Sequence, residues 1–527
     1  MIERNAITDQ FIHAICERLV ENKRVRRTLP IWGRVHIDRQ LPFLCVYRRP
    51  LVRIDAGTDR VVTSEASYLF ASGVRRLHAG LAELVRAIAQ ILVDRFGAFL
   101  ILEIWAGETT GDDELASPEV SKPRFRILVP PRQDPGSCIG TFHRALARIK
   151  TGRQPAEVEV VRAGRWWPRS FSPILPASVA GQLECSLLGL EVRPVYRDAA
   201  RGEAYPLILR EFRRGLTRAL RQAFYEFMRT RTTHRPPHFH TLGRRTVVKA
   251  VWEVDQRMAE VSDSFDFLLQ VTPVNAHQAW REFQETRFER APVFHYRPSL
   301  ADPTILKRRL YDVPIERIED PTLAELFRGK QDELDRRLTM LLDIDSKRFV
   351  HGSLQLFGGV DGEMKQLAEQ LLNRFPSRTS QDSRSGQLDA MSFAKLAQKE
   401  IEYYRQHRPE VDARVHVRDD IAVGLLVSHG SLLIDKDARV PLARAEALLQ
   451  HEIGTHVLTY HNGRAQPFRQ LYSGLAGYEA LQEGLAVLAE YLVGGLNRPR
   501  VRMLAARLVA ARDMIDGASF VEAFREL

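Results

Sequence analysis

The chain has 527 residues, enough for two to four domains at roughly 100–200 residues each. Its 44% hydrophobic and 27% charged content is ordinary for a globular chain, and no run of about 18 apolar residues predicts a membrane span, so no membrane partner is expected. The net charge of +11 comes mostly from Arg spread along the chain, with no basic stripe interleaved with aromatics, so no nucleic-acid partner is expected.

The N-terminus lacks an apolar signal region. The four cysteines, Cys16, Cys45, Cys138 and Cys185, form no CxxC pair. Scattered thiols of this kind read as reduced, and the expected location is the cytoplasm.

In chain order, residues 1–30 read as one amphipathic helix, with Phe11, Ile12, Ile15, Leu19 and Val20 at helical spacing. LPFLCVYRRP (41–50) reads as a strand, 76–96 as a helix closed by Gly97, and AFLILEIWAG (98–107) as a buried strand. A polar loop is expected at 107–123, then strands at 125–130 and 157–164 and a strong helix over 207–229. LEVRPVYRD (190–198) echoes LPFLCVYRR, which leaves two related α/β halves open.

The basic segment 229–245 contains Pro236-Pro237 and His234, His238 and His240, and reads as a surface loop at a domain boundary. The expected division is therefore an α/β region over 1–245, of unknown role, and a second domain over 246–527.

Residues 246–375 read as mostly helical, with Asp302-Pro303 and Asp320-Pro321 as helix starts. A polar loop at 376–387 and a helix at 391–407 follow. Residues 415–440 predict two or three strands with turns at Asp419-Asp420 and His429-Gly430. Pro441 opens a helix carrying His451, a second helix spans about 478–492, and a third covers 499–512. The fold class expected is α+β, the second domain helix-rich with a small sheet.

The chemistry concentrates at 448–491, where His451, Glu452, His456 and Glu483 stand in apolar surroundings. Buried charge there calls for a compensating partner, and a metal ion is the natural one. Hydrolytic zinc takes three protein ligands and leaves one position for water, while a nearby carboxylate accepts the proton. The familiar local form is H-E-x-x-H. Here one residue is added, giving H-E-x-x-x-H, and positions i and i+5 of a regular helix diverge by about 140°. A π-type turn absorbs one residue, so a bulged or tightened turn is predicted at Ile453–Thr455, where Gly454 tolerates it. His461, Glu479 and Glu490 remain open as competing ligands, with Glu479 also able to orient a ligand. The segment 424–434 reads as an edge strand able to hold an extended substrate.

HEIGTH (451–456), NG followed by QPF (462–468), GLAGYEALQEGLA (474–486) and EYLVGGL (490–496) resemble the QEGLA-motif family. Its bacterial members are labelled flavohemoglobin expression-modulating, and its animal relatives are microtubule-associated tyrosine carboxypeptidases. Residues 297–343 and 419–434 also resemble it, so the likeness covers about 246–527, and the N-terminal half is similar to the bacterial branch. The resemblance implies a gluzincin-like metallopeptidase with Zn²⁺ on His451, His456 and Glu483 and Glu452 as general base. It implies the C-terminus of a peptide or protein as substrate, but the tubulin substrate of the animal relatives is not carried over. Arg464 and Arg469 are the candidates for binding a terminal carboxylate. Family members continue past the position of Leu527 with an RGG-like turn and a Lys-Asp pair, so a chain truncated at its C-terminus is expected. The rival expectations are a regulatory or binding protein with a structural or vestigial metal site, and a non-haem iron protein with the same ligand set.

Overall fold

The strands expected at 41–50, 98–107, 125–130 and 157–164 all enter one sheet. The computed structural model describes residues 6–51, 57–107, 122–133, 135–151, 154–198, 201, 203–245, 247–375, 386–421 and 424–527. Most of the loops expected at 107–123 and 376–387 lies outside the described residues. The chain divides into two compact units, one of residues 1–248 with 316–324 and the other of residues 249–315 with 325–527.

The first unit is built on eight strands: Val25–Thr28 (β1), Gly33–Ile37 (β2), Phe43–Arg49 (β3), Ser67–Ser72 (β4), Phe99–Ala106 (β5), Arg124–Val129 (β6), Glu157–Arg162 (β7) and Cys185–Val192 (β8). Their order is β1-β2-β4-β3-β5-β8-β6-β7. β4, β3, β5 and β8 run parallel, which is why FLILEIW and its neighbours are apolar without alternation: helices cover both faces. The helices Cys138–Ala147 and Pro206–Arg231 share one core with Phe43, Tyr68 and Leu100, while Asp9–Val20 and His78–Phe96 share the other with Leu44, Leu69 and Ile101. β3 holds the Val-Tyr-Arg of the first echoed segment, whereas β8 ends at Val192 before that of the second, and both strands belong to a single sheet.

One expectation is corrected. Residues 1–30 do not form a single helix: the helix runs Asp9–Val20, and Asn22 turns the chain with a φ of 55°. Asn tolerates that left-handed geometry, and Val25–Thr28 then pairs antiparallel with β2.

Segment 316–324 brings three carboxylates into the first unit. Glu319 is held by Arg34 at 3.3 Å, by Arg26 at 3.7 Å and by Arg244, and Asp320 by Arg221 at 3.1 Å. Arg221 also lies 3.6 Å from the fully buried Glu65. Burial pushes the Glu65 carboxyl up to about 7, against the pull of Arg221. A carboxyl raised above its unfolded value favours the fold below about pH 4.5, and that contribution fades as pH rises towards 7. Glu65→Gln should therefore gain on wild type by up to about 3 kcal/mol between pH 4.5 and 8, read as the difference between two denaturant midpoints at each pH. A difference that stays flat with pH would show that Glu65 is ionised throughout.

The second unit is helix-rich. The mixed α/β architecture and the small sheet are as expected: Val415–Arg418 (β9), Leu425–Ser428 (β10) and Ser431–Asp435 (β11) form a sheet ordered β9-β11-β10, which leaves β10 at an edge. His429 and Gly430 turn β10 into β11 with φ of 45° and 73°, a geometry suited to a two-residue hairpin. Asp302, Asp320, Asp361 and Asp389 cap their helices through side-chain oxygens, which is why the starts at Asp302 and Asp320 could be read locally. No helix among the described residues is long and apolar enough to cross a membrane.

Candidate metal centre and cleft

His451 ends the helix Ala445–His451, and Glu452–Val457 forms a π-helical turn before the helix Leu458–Arg464 resumes. The turn contains the predicted Ile453–Thr455, and Leu458 N–H donates to Ile453 O, five residues back. The extra residue is thereby taken up, and the two imidazoles face each other with ring centroids 5.1 Å apart. Deleting Gly454 should give a regular helix with H-E-x-x-H spacing whose metal content, read by metal analysis, matches that of the parent. A lower metal content would mean that the π turn does more than accommodate one residue.

The third group comes from the helix Glu479–Leu492, which packs beside the first. Close approach is possible because Gly495, just past its end, lies where an added Cβ would come 2.1 Å from Ala447. Glu483 Oε1 is 3.4 Å from His456 Nε2, and Glu483 Oε2 is 3.9 Å from His451 Nε2. His451, His456 and Glu483 form a group able to hold a metal ion. Zinc with bonds of about 2.0–2.1 Å in a tetrahedral site sets its ligand atoms roughly 3.4 Å apart. The donor set, two imidazoles and a carboxylate whose ligand atoms lie within 4.8 Å of one another, suits that ion.

The residue that aims His451 is Glu490. It is fully buried, and its Oε1 lies 2.8 Å from His451 Nδ1. Accepting there places the ring proton on Nδ1 and leaves Nε2 facing Glu483. Arg500 holds Glu490 at 2.7 and 3.0 Å and Arg444 at 2.8 Å. Burial opposes the Glu490 charge, but these hydrogen bonds prevail and hold it below the usual carboxylate range. Burial and the neighbouring His456 hold His451 below the ordinary imidazole range, which keeps it neutral and able to donate a lone pair. Glu452 Oε1 is 4.0 Å from His451 Nε2. Without a metal, burial and then the nearby Glu483 and Glu490 push Glu452 up to about 8.

The competing candidates take other places. His461 is buried, with Nε2 3.1 Å from Gly430 O, so it anchors the β10–β11 turn. Glu479 pairs with Arg337. His234, His238 and His240 belong to no metal-capable group among the described residues. His277, Asp435 and Asp437 do form such a group, but His277 already bonds Asp435 at 2.9 Å and Asp437 N–H donates to Asp435.

His451, Glu452, His456 and Glu483 open onto a cleft of about 670 Å³. Its walls include Leu425–Gly430, with the edge strand β10, and Phe267, Phe357, Tyr460, Tyr472 and Tyr478. Arg464 and Arg469 are not among its wall residues: Arg464 lies against the rings of Tyr460 and Tyr472, and the Arg469 backbone N–H donates to Asp255. Closeness along the chain misleads here, because eight helical residues past His456 carry Arg464 roughly 12 Å along the axis. The arginine that does line the cleft is Arg337, held by Glu333 at 3.0 Å and by Glu479.

Fold and site together define a candidate two-histidine, one-carboxylate metal centre, with an adjoining acid, set in a cleft beside an edge strand. Residues 281–527 match the family model described as MATCAP, microtubule-associated tyrosine carboxypeptidase. That stretch contains the three metal-capable residues, Glu452 and Glu490. No curated protein and no solved structure matches the chain.

Proposed function

We propose that the second unit is a zinc-dependent peptidase that removes a residue from the C-terminus of a peptide or protein. The observation that carries this reading is the convergence of His451, His456 and Glu483, with Glu452 adjoining, in the wall of a cleft beside β10, an edge strand among the described residues. The description of the family matched over 281–527 supports the carboxypeptidase part.

In this reading His451, His456 and Glu483 hold Zn²⁺, which supplies Lewis acidity towards a carbonyl and acidifies water. Glu452 accepts the proton as water attacks and returns it to the leaving amine. Glu490 keeps His451 in the tautomer that binds. β10 pairs with the extended substrate backbone through its open edge. Arg337 offers its guanidinium to the terminal carboxylate, and the aromatic walls receive a terminal side chain such as the tyrosine of the family's description. The scattered free thiols suit a reducing compartment, and we place the protein in the cytoplasm.

Peptides ending in tyrosine, with free or amidated C-termini, test this with and without a chelator. The expected result is chelator-sensitive release of tyrosine from the free acids alone. Equal cleavage of the amides would rule out carboxypeptidase specificity. A zinc-loaded protein that cleaves neither would favour a regulatory role.

A further inference from the structure

In the first unit three guanidinium groups converge on one carboxylate. The strand registers set Arg26 of β1 opposite His36 of β2, and Arg34 and His36 of β2 opposite Phe70 and Tyr68 of β4. Directly opposed residues project from the same side of a sheet, so Arg26, Arg34, His36 and Tyr68 share one face at the β1 edge. Arg244 lies over that face, with Cζ 5.3 Å from the centre of the Tyr68 ring, and Arg34 Cζ is 5.6 Å from it. The carbonyls of Glu65 and Thr63 fix Arg244 in place. Glu319 sits among the three arginines, 3.3 Å from Arg34, 3.7 Å from Arg26 and paired with Arg244.

Among the described residues these arginines pair with no other carboxylate. The neighbouring acids are matched elsewhere, Asp38 by Arg39 at 3.0 Å, and Glu65 and Asp320 by Arg221. Donors are left over as well. Arg34 Nε, Tyr68 Oη and both ring nitrogens of His36 have no hydrogen-bond partner among the described residues, although Tyr68 is fully buried and His36 is 2% exposed. Buried polar atoms without partners are uncommon in folded proteins and point to a group that the protein alone does not supply. Burial, and then Arg244, hold the His36 imidazole down to about 3, so it is neutral and one nitrogen keeps a proton to donate. Arg26, Arg34 and Glu319 are partly exposed, so the group opens to solvent on its outer side.

A carboxylate supplies one charge and two oxygens. A phosphate dianion supplies twice the charge and a further acceptor oxygen, and guanidinium groups suit it geometrically. We infer that this face is a site for a phosphate dianion, free or as a monoester, in which Glu319 is an internal stand-in that the ligand displaces. Arg26, Arg34 and Arg244 hold its oxygens, and Tyr68 Oη–H and His36 N–H donate to it from the buried side. The site is independent of the peptidase reading.

Isothermal titration calorimetry on the metal-free full chain tests this. The probes are inorganic phosphate and phenyl phosphate, with chloride at matched ionic strength as control, and removal of metal keeps either probe from being held by an ion in the cleft. Wild type should bind saturably, and Glu319→Gln about ten-fold more tightly, because the competing charge is gone. Adding Arg34→Gln should undo that gain by about ten-fold. Tyr68→Phe separates recognition from folding. Removing a hydroxyl that has no partner should leave the Tm near that of wild type, yet weaken phosphate binding by about three-fold, and this can be read in the wild-type background should Glu319→Gln fail to fold. Tighter binding of phenyl phosphate assigns the site to a monoester, and binding of inorganic phosphate alone assigns it to the free ion. No saturable binding to wild type, equal affinity in wild type and folded Glu319→Gln, or an affinity that survives both Arg34→Gln and Tyr68→Phe overturns the proposal.

Discussion

Glu452→Gln is expected to lower peptide hydrolysis by about 10²–10⁴-fold while zinc content stays at one per chain. The amide nearly matches the carboxyl in shape and keeps a hydrogen-bonding oxygen, but it cannot take a proton from water. The substitution also removes no ligand, because His451, His456 and Glu483 form the metal-capable group without it. It should still bind zinc, since all three metal-capable side chains stay in place. Zinc analysis and single-turnover rates on the same preparation separate the two effects. Residual activity within ten-fold of wild type would mean that another group accepts the proton, and the role assigned to Glu452 would be withdrawn.

The second large effect is expected at Glu490. Its carboxylate is fully buried among Arg444, Arg500 and His451, so Glu490→Ala leaves two guanidinium groups without their anion. Breaking a buried ion pair from one side costs about 3–5 kcal/mol, and a drop in Tm of roughly 10 °C should follow. The same change frees the His451 ring to rotate or switch tautomer, for a 10–100-fold loss of zinc affinity. Glu490→Gln separates these roles. It still offers an oxygen to Nδ1–H, so its zinc affinity should lie between wild type and Glu490→Ala even where its stability is poor. If Glu490→Ala binds zinc as tightly as wild type well below its melting temperature, Glu490 holds the helices together but does not aim the ligand.

The local features of the site were legible from the chain alone because each depends on a few neighbouring residues. The helix over 479–492 follows from apolar spacing, and the bulge near Gly454 follows from the i to i+5 offset of two histidines that must face one point. Helix starts at Asp302 and Asp320 are local too, since each cap reaches only two residues ahead. Reading failed where local evidence had two outcomes. Residues 1–30 kept helical spacing, yet Asn22 and the pairing of Val25–Thr28 with β2 ended the helix.

Partnerships across long stretches of sequence were decided by the tertiary structure. Glu490 and Glu479 looked alike as acids one or two turns from Glu483, and only the packing of two helices put one against His451 and the other against Arg337. Arg337 and Asp266 reach the cleft from more than 100 residues before His451, whereas Arg464, much nearer in sequence, does not. Segment 316–324 joins the first unit although the residues on both sides of it belong to the second. The physical reason is common to all of these. Spacing and capping are settled within a turn or two of backbone, so the chain by itself determined the two-histidine turn, its bulge and the helix that carries Glu483. Which side chains meet across a cleft depends on how whole elements pack, and only the tertiary structure decided that.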